Sequence, residues 1–120
     1  MTFLPESTKL GILEVIEVYI FYDQPVLFSC KNKSGLSYIA LSIDETDFSE
    51  IWLYAPISKS RFQRLVQGEV ELRDVFTDAE DAFVYRVEIQ YNQSNTIIDL
   101  IDCSKMPDEN LPEEGITIQS

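Results

Sequence analysis

The sequence contains no histidine, two cysteines, four glycines and nine basic residues against twenty-one acidic ones, giving a formal net charge of -12 over 120 residues. The missing imidazole removes the commonest general base and the commonest metal ligand together. Ser-His-Asp and Cys-His nucleophile systems are excluded, as is every zinc site that uses histidine. Cys30 and Cys103 are too few for a four-cysteine zinc site within one chain. Both lie in apolar stretches and read as small buried hydrophobes rather than as a disulfide, which a domain of this size does not need. No nucleophile elbow, phosphate loop or metal triad is present, so neither a catalytic residue nor a cofactor is expected.

The shortage of bases bears on partners. A phosphate backbone and an anionic membrane surface both repel a chain of this sign, so neither nucleic acid nor membrane is an expected ligand. Long apolar runs are missing too. The uncharged stretch 34–43 is about half of what a membrane-crossing helix requires. The first ten residues carry no basic run, and no small-residue cleavage site follows. The expectation is a soluble, cytoplasmic protein.

What is present is an ordinary globular balance, 45% hydrophobic and 25% charged, in a length that suits one domain. Such a chain buries roughly two-thirds of its unfolded surface without disulfide or metal. Residues 11–22 are rich in Ile, Val and Tyr and predict a strand by propensity. Asp23-Gln24-Pro25 turns the chain, and 26–31 and 36–43 predict two further strands around the polar turn Asn32-Lys33-Ser34-Gly35. A fourth strand over 50–55 is expected to stop at Pro56. Phe62, Leu65 and Val66 then form an apolar stripe at helical spacing, capped by Ser58 or Ser60 and closed by Gly68, with one further turn over 72–76. Residues 83–91 alternate most cleanly and predict a half-buried antiparallel strand, turning at 92–95 into a sixth strand over 96–103. Residues 104–120 form an acidic C-terminal extension in which Ile116 and Ile118 suit a short edge strand. With only one helical connection, the expected fold is a single α+β domain over 1–120: an antiparallel meander of about six strands with one main helix on a face, a curled half-barrel being a close relative.

Candidate sites are few. Asp44, Glu45, Asp47 and Glu50 lack the glycine and spacing of a calcium loop and read as a solvated turn, as does Asp78-Ala79-Glu80-Asp81. Lys59, Arg61, Arg64 and Arg73 make the helical segment locally positive. It suits an acidic protein surface or a phosphate, although intramolecular charge compensation is the commoner role. Trp52 and Tyr54 stand on one side of the fourth strand, either as an exposed aromatic strip for a partner or as core. Apolar residues on both faces of the first and fourth strands exceed what one helix covers, which points to self-association or a protein partner.

The segments Tyr22-Asp23-Gln24-Pro25-Val26-Leu27-Phe28, Trp52-Leu53-Tyr54-Ala55-Pro56-Ile57-Ser58 and Leu72-Arg73-Asp74-Val75-Phe76, with Arg61, Leu65 and Gly68 between them, resemble a small uncharacterised bacterial family of domains of unknown function. The resemblance covers roughly two-thirds of the chain. It implies a bacterial, cytosolic setting and no activity. Asp23 and Arg73 are its polar positions without a local duty; paired and buried they would be structural, and open they would be a recognition point. The function expected is a non-catalytic acidic interaction module, such as an inhibitor or immunity protein that captures a basic partner by electrostatic steering. A structural or regulatory homo-oligomeric subunit is the alternative, and an enzyme working without histidine a more distant one.

Overall fold

Six strand-forming segments, each separated from the next by a short turn except where the helices intervene, have few ways to pair other than with their sequence neighbours. The computed structural model, which describes residues 13–22, 24–79, 82–90, 95–105, 111 and 117, has that arrangement. Strands β1 (Leu13–Tyr22), β2 (Gln24–Asn32), β3 (Ser37–Glu45), β4 (Ser49–Ile57), β5 (Phe83–Gln90) and β6 (Asn95–Asp102) form one antiparallel sheet in the order β1-β2-β3-β4-β5-β6. Helices α1 (Lys59–Val66) and α2 (Leu72–Thr77) lie in the β4–β5 connection. The expected extra turn is thus a second helix, and the two share the work assigned to one.

Local chemistry explains the boundaries. Ser58 is the N-cap of α1, its hydroxyl accepting from the Arg61 N–H at 3.2 Å. Gly68 follows the helix at φ +80°, a left-handed conformation that glycine adopts without steric cost. The β2–β3 turn is held by Asn32, whose side-chain oxygen accepts from the backbone N–H groups of Ser34 and Leu36, both at 3.0 Å. Pro56 does not end β4, which runs on to Ile57. Beyond Tyr54 the strand pairs only with β3, through Tyr38↔Pro56 and Ser37↔Ile57. A missing N–H is tolerated where only one side of a strand is paired.

Alternation along the strands divides the interior in two. Leu27, Ile39, Leu53, Ala55 and Val84 face the helices and pack with Leu65, Leu72, Val75 and Phe76. On the opposite side, Phe28, Cys30, Tyr38, Ala40, Trp52, Tyr54 and Val87 form a second buried cluster. Its rings meet across Ala40: Phe28 lies 6.2 Å from Tyr54 and 5.4 Å from Trp52, although β2 and β4 are not neighbours. The small side chain between them leaves room for this edge-to-face contact. Register shifts in β1 and between Ser42 and Asp44 in β3 bend the strands, as bulges do. Leu111, in the C-terminal stretch, packs against the helix-side cluster. Ile116 and Ile118, the expected edge strand, lie outside the described residues, as does the turn 92–94.

Candidate functional site

β4 is central, with β3 and β5 on either side, and both of its faces are covered. Trp52 and Tyr54 are therefore core: each is 0% exposed. Of the two readings open to them, exposed strip or core, the structure has the second. Glu50 lies in β4, as the strand expected over 50–55 has it, but it is fully buried rather than solvated, on the same side as Trp52 and Tyr54. The signal was present in the spacing 50, 52, 54, which places the three on one face of a strand. The indole N–H of Trp52 is buried without an acceptor. Burial pushes the Tyr54 hydroxyl well above its ordinary pKa, with the neighbouring Cys30 and Glu50 adding to the shift. Burial also pushes the Cys30 thiol up to about 12, so this cysteine is held as an inert thiol. Cys103 packs on the helix-side cluster while Cys30 belongs to the opposite one, and both are free.

The basic segment is divided by the fold. Arg61 reaches from α1 to the C-terminal end of α2, donating to the carbonyl oxygens of Asp78 at 2.8 Å and Asp74 at 3.2 Å. A guanidinium there gives the Asp78 carbonyl a donor, adds a second bond to the Asp74 carbonyl that already accepts the Asp78 N–H, and complements the partial negative charge of the helix end. Arg73 lies on α2, half-buried and engaged within the chain. Asp23 lies outside the described residues, and its pairing with Arg73 with it. Lys59 and Arg64 are exposed on α1. The structure therefore does not assemble Trp52, Tyr54, Arg61, Arg64 and Arg73 into one surface.

What the molecule does present is apolar side chains at its margins. β6 is a terminal strand of the described sheet and carries Ile97, 39% exposed, and Leu100, 54% exposed, around the exposed Asp99. β1, at the other margin, exposes Ile16 and Val18 beside Glu14 and Glu17. Propensity reveals these strands but does not reveal which of them end the sheet, so sequence reasoning passed over their exposed residues. Asp102 closes β6, its carboxylate accepting from the backbone N–H and hydroxyl of Ser104 at 2.9 and 2.8 Å. Those bonds, the backbone one first, hold its pKa below the ordinary value. Among the described residues no three His, Cys, Asp or Glu side chains converge to hold a metal ion. No helix among the described residues is long and apolar enough to cross a membrane.

Comparison with curated proteins and with solved structures finds no match. A family model described as "Family of unknown function (DUF6575)" matches residues 1–120. The chain belongs to that family, and the match extends over its whole length.

Proposed function

We propose that this chain is a non-catalytic acidic interaction module of the bacterial cytosol that captures a basic protein through the β6 margin of its sheet. One observation carries the reading. Ile97 and Leu100 stand exposed on either side of Asp99 at the end of the sheet, in a molecule of net charge -12. Ile97 and Leu100 stand at opposite parity of an unbroken strand, so each face of the margin offers one aliphatic side chain, with Asp99 on the Ile97 face. Such an edge suits a partner segment that lies along it with aliphatic side chains set among lysines and arginines. The distributed negative charge steers such a partner toward the module, a contribution worth ~10- to 1,000-fold in association rate. Inhibitors and immunity proteins that neutralise basic toxins or nucleases work by this physics, and the proposal places the chain in that class.

The test compares the tagged native chain with I97K/L100K in affinity purification from the source cell. The reading expects a basic protein that elutes with rising salt from the native chain and is missing from the variant. Recovery of the same protein at equal yield on both, or of no basic protein on the native chain, would contradict it.

A further inference from the structure

The most exposed large apolar side chain among the described residues is Phe48, at 71%. It stands on the β3–β4 turn, and that turn is rigidly built. The Thr46 hydroxyl oxygen accepts from the backbone N–H groups of Phe48 at 3.1 Å and Ser49 at 3.0 Å, while the Thr46 N–H donates to the Ser49 carbonyl at 2.8 Å. Asp44 and Asp47, both exposed, precede the ring in sequence. Phe48 is therefore an aromatic knob on an acidic, preorganised turn. Holding an anchor in place before contact lowers the entropy cost of association.

The other end of the same hairpin carries the complement. β3 runs nine residues from Ser37 to Glu45, which sets its two ends roughly 30 Å apart. At the Ser37 end an open groove of about 350 Å³ lies between β1, the β2–β3 turn and the start of α1, with Ile16, Leu36, Ile57, Phe62 and Lys59 among its lining. Its walls are apolar, and Leu36 is 59% exposed. Its lining holds a lysine and no acid, and Lys33 is exposed in the adjoining turn. Lys59 opens a helix that has no acidic residue in its first turn. A cation there opposes the helix dipole, which favours acid at that end. Arg61 has a structural duty on α2; among the described residues no comparable contact accounts for Lys59.

We infer that this groove receives the Phe48 knob of a second copy of the chain, so that molecules associate head to tail, with Asp44 and Asp47 of one copy meeting Lys59 and Lys33 of the next. The knob is apolar with acid beside it, and the groove is apolar with Lys59 and Lys33 at its α1 and β2–β3 sides, Glu14 and Glu17 standing beside Ile16 on its β1 side. The volume suffices for a phenyl ring, since small-ligand pockets begin at ~300 Å³. Knob and groove occupy opposite ends of one hairpin, and joined head to tail they make a heterologous contact in which each pair keeps one free groove, on the copy that gives its knob, and one free knob, on the copy that receives it. The β6 margin takes no part, which makes this inference independent of the proposed function. Net charge opposes the approach of two copies, so the association is weak and concentration-dependent.

Sedimentation velocity of the native chain, from micromolar to about 1 mM, tests this. The weight-average sedimentation coefficient is expected to rise with concentration, and Phe48→Ser and Leu36→Glu are each expected to abolish the rise while keeping the native thermal transition. An equimolar mixture of those two variants restores one intact knob and one intact groove and is expected to form dimers that grow no further. Lys59→Glu is expected to raise the melting temperature, by complementing the helix dipole, while weakening association. A native chain that stays monomeric to the highest concentration overturns the inference and leaves the groove to another occupant. So does self-association that both variants retain, or a mixture that does not recover it.

Discussion

Trp52 and Tyr54 show how a residue's chemistry is decided by the strand it stands on. Both are amphipathic rings of the kind that interfaces favour, yet β4 lies between two partners and buries them completely. Replacing Trp52 with alanine removes the ring packed edge-on against Phe28 at 5.4 Å. Denaturant unfolding is expected to show a loss of about 3–5 kcal/mol, the usual cost of emptying such a site. A loss below about 1 kcal/mol would mean that the ring is not core. The same face sets the alkaline limit of the fold. Cys30 and Tyr54 are held neutral by burial and have raised pKa values, whereas in the unfolded chain they ionise near their ordinary values of 9.0 and 10.0. Between the unfolded and folded values the unfolded state binds fewer protons, so stability declines as pH rises. Their contribution is complete below pH 9 and falls away above it. The melting temperature measured from pH 8 to 12 is expected to drop from about pH 9 upward, with Cys30→Ala moving the onset toward pH 10. A flat profile through pH 11 would contradict this account of the aromatic face.

At the scale of elements, Arg61 is the piece that joins two helices. Its bonds to the Asp74 and Asp78 carbonyls close an end of α2 that has no side-chain cap of its own at the other end. Arg61→Ala is expected to cost about 1 kcal/mol in thermal or denaturant unfolding, while Arg64→Ala, on the exposed side of α1, changes stability by less than about 0.5 kcal/mol. Equal effects would show that Arg61 serves only as surface charge. The sequence made much of this level readable. The meander followed from short polar turns such as 32–35, and α1 from Ser58, the spacing of Phe62, Leu65 and Val66, and Gly68. Other features were hidden because they depend on neighbours rather than on local pattern. Pro56 signals a strand end in isolation, but β4 passes through it because only β3 pairs there. Glu50 looked like one more solvated acid because the register that buries it is set by β3 and β5, distant in sequence. The exposure of Ile97 and Leu100 depends on which strand finishes the sheet, a property of topology alone.

Seen whole, the molecule is a curved sheet with helices on one side, an aromatic cluster on the other and a large negative charge distributed over it. Charge of this size at close quarters repels itself, and salt relieves that repulsion. The same charge is what gives the proposed module its reach. Short-range contact at Ile97 and Leu100 governs how long a basic partner stays; the field governs how fast it arrives. The two contributions separate cleanly in kinetics. The most direct measurement is the association rate of the captured basic partner with the purified native chain as ionic strength is raised from about 20 to 200 mM, a range over which the screening length shortens about threefold. A fall of ten-fold or more, with I97K/L100K acting chiefly on dissociation, is the predicted result. An association rate indifferent to salt would contradict the claim that this acidic chain works by drawing a basic protein onto the margin of its sheet.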